Sequence, residues 1–467
     1  MQGIHIIMLF KKKSLKVLNL VFMSCAVLGC GSGGSEPMVT APVVIPAVVI
    51  PQVIDLEPPV GFTKITLQST IEKVQPMTGI VFWDDHQVWD STNKNAMSEA
   101  ISLEFSYISI NEIVTNEGIY DWSYLDNKLN EIAARNHQAI FRLYYAYPGR
   151  DTTVPNNIKS RSDYNETEGV SEDQPTFFPD WSNSELQRFT KEFHTQFSER
   201  YDNDNRLAFI QFGFGLWGEY HIYDKPGTLI LGQTFPTKTY QTEFITHLET
   251  TYSTLPWAIS IDASNSDYSP FISSNALLSI DFGLFDDSFM HEQHSGYNES
   301  AWNTFSYSER YKAAPLGGEF SYEEVSDQLT ALTPGEGSYG TSYEEFAEKF
   351  HISYIIGNDT YTRGTSNEQP ISRIKEASIF SGYSLSITGF STNATTSEVV
   401  VENTGVAPLY YDAYITVNGV RATDSLKGLL PNASQLFVVE SGGETPVLTI
   451  ESDHILTTQT IEFNADL

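Results

Sequence analysis

Two glutamates follow apolar, glycine-punctuated runs. Glu219 closes Phe209-Ile210-Gln211-Phe212-Gly213-Phe214-Gly215-Leu216-Trp217-Gly218-Glu219, and Glu319 follows Ala314-Pro315-Leu316-Gly317-Gly318. A carboxylate at the exit of a buried strand, where glycines admit backbone or ligand, is the usual place for chemistry in a parallel β/α protein. Two of them suit cleavage of a glycosidic bond: one carboxyl protonates the leaving oxygen while the other attacks carbon or activates water. Trp217 and Tyr220 would desolvate Glu219 and keep a proton on it. The competing reading is a rim glutamate satisfied by an arginine or a backbone amide. Around Glu319, Gly317 and Gly318 leave room for an anomeric carbon, and the competing reading is an acid that favours the dipole of a following helix.

Other residues offer recognition rather than bond breaking. Arg142, at the end of an apolar run, is a barrel-interior cation that either orients a carboxylate or substrate hydroxyl or forms a structural ion pair. Trp83, Asp84 and His86 combine a stacking face with hydrogen-bonding groups, as sugar pockets do, or form a solvated loop. Trp217, His221 and Tyr145 are candidates for lining the cleft. Asp281, Asp286, Asp287, His291, Glu292 and His294 crowd one segment, but His-Glu-Gln-His lacks the spacing that puts two histidines on one helical face. A loop shaping the pocket, with Asp286 and His291 toward substrate, is the preferred reading, and Trp302 is a sugar platform or a loop anchor. No metal and no cofactor is expected, and no Gly-x-Ser-x-Gly elbow or phosphate-binding loop occurs.

The elements that must position these residues alternate. Strand-like runs at 79–83, 102–110, 138–145, 207–214, 257–262, 277–282, 314–318 and 351–356 are separated by helical stripes. Among the stripes are Leu125, Leu129, Ile132 and Ala133; Leu186, Phe189, Phe193, Phe197 and Tyr201; and Phe244, Leu248, Tyr252 and Leu255. Ser321 with Glu324, and Ser342 with Glu345, have capping-box spacing. Eight such units predict an α/β fold, a (β/α)₈ TIM barrel over residues 66–377. From 378 to 467 the pattern becomes short strands with turns, including an Asn418-Gly419 hairpin signal, which predicts a C-terminal immunoglobulin-like β-sandwich. Without a flexible linker between the two, Tyr383, Phe390, Tyr410 and Tyr411 should pack the sandwich onto the barrel.

The N-terminus reads as an export signal: Lys11, Lys12 and Lys13, an apolar run, then Val27-Leu28-Gly29-Cys30. This resembles a bacterial lipobox, so residues 1–30 are expected to be a lipoprotein signal peptide with Cys30 lipidated. Residues 31–65, rich in Gly and Ser and then in Pro and Val, are expected to be a flexible tether. Gly31 after the cysteine favours the outer membrane, with the protein facing the periplasm or the cell surface. Within its 467 residues a net charge of −32 argues against a nucleic-acid partner, because phosphate binding demands a basic surface.

With strands numbered in order, Glu219 follows the fourth and Glu319 the seventh. That arrangement resembles clan A glycoside hydrolases, in which an acid/base follows strand four and a nucleophile strand seven. The family's Asn-Glu pair is Gly218-Glu219 here. The segments Gly118-Ile119-Tyr120-Asp121-Trp122, Phe141-Arg142-Leu143-Tyr144-Tyr145 and Trp217-Gly218-Glu219 further resemble a family of bacterial barrel-plus-sandwich proteins of unknown function, over roughly residues 75 to 465. The resemblance implies a retaining hydrolase of a poly- or oligosaccharide, with Glu219 as acid/base and Glu319 as nucleophile. Retention requires carboxyl groups about 5 to 5.5 Å apart, inversion about 6.5 to 9.5 Å. The alternatives are an inverting hydrolase, a lyase, or a surface lipoprotein that binds glycans without cleaving them.

Overall fold

The structure, a computed structural model, describes residues 57–86, 89, 93–222, 229–291, 294–323, 326–335, 341–361 and 368–467. Cys30 with the expected export signal, Glu292 and Glu324 lie outside the described residues. Eight strands close into a barrel: β1 (Gly79–Trp83), β2 (Leu103–Ser109), β3 (Gln138–Tyr144), β4 (Leu207–Phe212), β5 (Trp257–Ser260), β6 (Gly283–Phe289), β7 (Leu316–Phe320) and β8 (Ile352–Ile356). All neighbours are parallel, and β8 returns to β1 through Tyr354 opposite Gly79. Strands buried on both faces read as continuous apolar runs, as β4 (LAFIQF) and β8 (ISYII) do.

One strand sits elsewhere than its pattern suggested. Residues 277–282 were expected to be the sixth strand, but Ser274 accepts the Leu277 N–H and starts a helical turn over Asn275–Leu278. The strand is instead Gly283–Phe289, whose paired aspartates disguise it. The shift places Asp286 and Asp287 on the strand, pointing to opposite faces, rather than in a loop beyond it.

Alternation sorts the side chains. Val81, Leu103, Phe105, Ile140, Phe209, Tyr354 and Ile356 fill the barrel interior, whereas Ile80, Phe82, Phe141, Leu143, Ile210, Phe212 and Leu284 join the core between strands and helices. The helical stripes cover that outer face. In α1 (Ser123–Ala134) Leu125, Leu129 and Ile132 are buried; in α2 (Ser184–Tyr201), capped by Asn183, so are Leu186, Phe189, Phe193, Phe197 and Tyr201. Thr237 caps α3 (Lys238–Thr251), and α4 (Ser295–Thr304) follows β6. The Ser342–Glu345 capping box forms at the start of α5 (Tyr343–Phe350). None of the described helices is long and apolar enough to cross a membrane.

After α6 (Ile371–Phe380) come β9 (Leu385–Thr392), β10 (Ser397–Asn403), β11 (Tyr414–Val417), β12 (Ser434–Val439), β13 (Leu448–Glu451) and β14 (Asn464–Asp466). One sheet runs β12-β10-β9-β14; the other joins β11 to β13 and to Val420–Arg421 across the Asn418-Gly419 turn. The two sheets share one core, with Val399, Val401 and Phe437 from the first and Ile415, Val417 and Ile450 from the second. Thr63–Lys64 pairs with β9 and Gln68–Ser69 with β14, so the chain ahead of the barrel completes the first sheet.

This β-domain seals the N-terminal end of the barrel. Tyr383 Oη donates to Pro76 O and lies 2.5 Å from Tyr411 Oη, and Tyr410 Oη donates to Tyr311 O. Gln138, first in β3, donates to His454 O, and Asn205, just ahead of β4, to Ile455 O. Phe390 is buried in the same cluster. The opposite end of the barrel is where the strand C-termini carry the polar residues.

Candidate active site

The loop after β4 is folded back on itself, and its glycines are the reason. A Cβ at Gly213 would meet Glu219 O at 2.1 Å, and one at Gly215 would meet His221 O at 2.0 Å. Gly215 N donates to Glu219 O, Leu216 N to His221 O and Trp217 N to Ala146 O, which pins Glu219 over the barrel mouth. On β7, Glu319 faces inward. The glycines before it were expected to admit substrate; instead a Cβ at Gly317 would meet Tyr354 O at 2.4 Å, and one at Gly318 (φ +152°) would meet Asp286 O at 2.0 Å. They allow close strand packing, so the space beside Glu319 is not theirs to provide.

Arg142 on β3 is fully buried at the centre of the site. Its Nε donates to Gln211 Oε1 at 2.7 Å, its Nη2 to Asp287 Oδ1 at 3.0 Å, its Nη1 also pairs with Asp287, and Nη1 lies 3.9 Å from Glu219 Oε1. Gln211 continues the chain to Tyr354 Oη at 2.7 Å, and the guanidinium sits 4.2 Å over Phe285. Burial opposes the arginine's charge, and Asp287, with Tyr107 and Glu219, more than compensates. The ion pair expected as one reading of Arg142 is present.

Both glutamates are buried and both hold protons more strongly than usual. Burial and then the Asp287 charge raise Glu219 to about 7, against the pull of His221 and Arg142. Burial and Asp287 raise Glu319 well above the carboxylate range, with the Glu219 charge adding and Arg142 and a Tyr322 hydrogen bond opposing. The two carboxyls therefore sense each other across one site. Glu319 Oε1 is buried without a hydrogen-bond partner, an acceptor left open.

His221 Nε2 is 2.9 Å from Glu219 Oε2 and 3.7 Å from Asp262 Oδ2, which in turn accepts from Ser260 Oγ at 2.8 Å. Burial lowers the imidazole's proton affinity, but Asp262 and Glu219 carry it to about 9. Glu219, His221 and Asp262 each bring one potential ligand atom within 4.8 Å of the others. With the imidazole charged and Nε2 hydrogen-bonded to Glu219, the trio forms an ion-paired cluster.

The remaining expected site residues divide. Trp83 faces the interior, edge-on to Tyr107 at 5.8 Å, and Trp217 lies over Tyr147 and His221. Asp84 instead pairs with Lys128 of α1, and His86 stacks at 4.8 Å on Phe82 in the barrel–helix core, where burial lowers it to about 4. Tyr145 points outward to Thr190 and Trp181, because Arg142 takes the inward parity on β3. Asp286 also points outward, accepting from Ser288 N, Asn298 Nδ2 and Trp302 Nε1, so Trp302 is a buried anchor for α4 rather than a platform. His291 is buried, 4.0 Å from Asp327 and tilted against the His294 ring, and Asp281 lies exposed, so the described residues of the crowded segment do not converge on one point. Sequence reasoning passed over Gln211, Tyr107, Asp262 and the inward role of Asp287. Correct register on β6 would have found Asp287, since 283, 285 and 287 share a face.

No protein-family profile matches the chain, and no curated protein is similar to it in sequence. Solved structures are similar in shape at a distance. A glycoside hydrolase family 30 subfamily 8 xylanase from Clostridium acetobutylicum is 12% identical with a TM-score of 0.35, over 80% of this chain and 98% of its own. A GH5_18 protein from Bifidobacterium longum subsp. infantis is 8% identical with a TM-score of 0.39, over 66% and 79%. A GH36 alpha-galactosidase from Geobacillus stearothermophilus is 10% identical with a TM-score of 0.34, over 78% and 55%. With TM-scores and identities this low, none of these likenesses decides what this chain does.

Proposed function

We propose that this protein is a retaining glycoside hydrolase acting on a poly- or oligosaccharide, exported and anchored to the outer membrane through Cys30, with an immunoglobulin-like sandwich as its second domain. The observation that carries the reading is the meeting of Glu219, from the loop after β4, and Glu319, on β7, around the Arg142–Asp287 pair, each glutamate electrostatically within reach of that pair. Glu219, raised to about 7, is suited to hold a proton at neutral pH and release it to a leaving oxygen. Glu319 must attack as the anion. Its open Oε1 is the place where a sugar hydroxyl can donate, and a hydrogen bond to the charged form lowers a carboxyl's proton affinity. Substrate thus favours Glu319 ionised and Glu219 protonated. As the glycosidic C–O bond breaks, Glu219 gives its proton to the departing oxygen and Glu319 bonds the anomeric carbon. Water then attacks that carbon, yields a proton to Glu219, and frees Glu319.

The raised proton affinity of the ligand-free Glu319 is the observation that favours the second reading, a barrel that binds glycans without cleaving them. Incubation with a panel of algal, plant and bacterial oligosaccharides, read by new reducing ends, separates the two. Turnover that disappears in Glu319→Ala supports the hydrolase; binding without new reducing ends sinks it. Membrane fractionation of Cys30→Ala tests the anchor, with release to the soluble fraction expected.

A further inference from the structure

The loop that delivers Glu219 also delivers His221, and β5 delivers a second carboxylate to the same imidazole nitrogen. Nε2 lies 2.9 Å from Glu219 Oε2 and 3.7 Å from Asp262 Oδ2. One N–H faces two acceptors, and only the nearer contact is a hydrogen bond in this state. Asp262 is held in place by Ser260 Oγ and the His221 backbone by Leu216 N, so passing the N–H from one carboxylate to the other takes only a small rotation of the imidazole. The three side chains are only 15%, 11% and 21% exposed for His221, Glu219 and Asp262, which shields their interaction from solvent screening.

We propose that His221 is a positioning residue for Glu219, its Nε2–H shared between Glu219 when that carboxyl is ionised and Asp262 when Glu219 carries the proton. The inference rests on the acid/base role given to Glu219. A general acid/base passes through both charge states in every turnover, and a neutral partner would favour only one of them. An imidazolium beside a second anion serves both: the Asp262–His221 pair is neutral as a unit while Glu219 is protonated, and its N–H turns to Glu219 once the proton has gone. No proton leaves the imidazole in this cycle. The charged groups facing it are Glu219 on its own loop, Asp262 beyond β5 and Asp287 on β6, with Arg142 behind Glu219. All three that face it directly are carboxylates, and they keep the ring charged to about pH 9 despite burial.

Two arms test this with the protein as it stands. In the first, imidazole NMR signals of the ligand-free protein are followed with pH, His221 being assigned by its absence in His221→Gln. The ring should remain charged through neutral pH and, in the isosteric Asp262→Asn, titrate lower by about one pH unit or more. A His221 signal that titrates near its ordinary value, or that ignores Asp262→Asn, overturns the sharing. In the second arm, kcat/KM is measured against pH on whichever aryl glycoside of a panel is turned over. Loss of the imidazolium should move the alkaline limb upward by about one pH unit in His221→Gln, because Glu219 then keeps its proton longer, with KM little changed. A uniform fall in kcat with an unmoved limb would mean a merely structural histidine and would overturn the proposal. Absence of turnover of every glycoside by the wild-type protein would sink the hydrolase reading and the catalytic use of this pair together, whereas the NMR arm fails only if the sharing itself is wrong.

Discussion

Asp286 and Asp287 are adjacent on β6 and live in different regions of the molecule. Asp287 faces the barrel interior, where it neutralises Arg142 and raises the proton affinity of both Glu219 and Glu319. Asp286 faces the helix layer, where Ser288, Asn298 and Trp302 donate to it and tie α4 to the barrel. Burial raises Asp286 to about 7, the same value as Glu219. A perturbed carboxyl is therefore no signature of a site in this chain. What separates the two regions is company: the inner face gathers Glu219, Glu319 and Asp287 around Arg142, with His221 and Asp262 beside them, and the outer face surrounds one carboxyl with neutral donors.

The comparison breaks most visibly from the inside. Arg142→Ala leaves Asp287, whose side chain is only 12% exposed, without its cation and should cost about 3–5 kcal/mol of stability, read by urea denaturation. A loss no larger than that of a surface substitution would mean that the interior tolerates an unpaired charge. On the outside, Asp286→Ala strands the Asn298 and Trp302 donors and should cost about 1–3 kcal/mol. Its kinetic constants should match wild type, and a fall in kcat would show that the two faces are not separate. A further effect is one of pH. Asp286 is raised from the ordinary 3.8 to about 7, so between these values the folded state binds a proton that the unfolded state lacks. The associated stability is complete below about 4 and lost as pH rises through about 7. Urea midpoints from pH 4 to 8 should therefore fall less steeply in Asp286→Asn than in wild type; an unchanged slope would assign the pH dependence to the inner face alone.

Much of this was legible in the sequence where pattern and burial agree. Continuous apolar runs marked seven of the eight barrel strands and apolar stripes the helices α1 to α3, because an element covered by the core has little choice of residue on its buried face. The sixth strand was missed for the complementary reason. Asp286 and Asp287 are satisfied by partners far along the chain, Trp302 sixteen residues on and Arg142 on β3, and no local pattern announces such partners. The same limit explains Tyr145 and Asp84: one residue of parity decides whether a side chain enters the barrel or the helix layer. Glu219 and Glu319 could be picked out because the glycines beside them are in the sequence, although those glycines serve strand and loop packing rather than substrate entry.

The central claim is that Glu219 and Glu319 act as a pair with distinct roles, and azide rescue tests it most directly. On an aryl glycoside whose leaving group needs no protonation, Glu219→Ala should retain activity that sodium azide accelerates, giving a glycosyl azide with the anomeric configuration of the substrate. Glu319→Ala should be inactive without azide and, if rescued at all, should give the inverted azide. Wild-type rates from both variants, or rescue with the two configurations exchanged, would contradict the account.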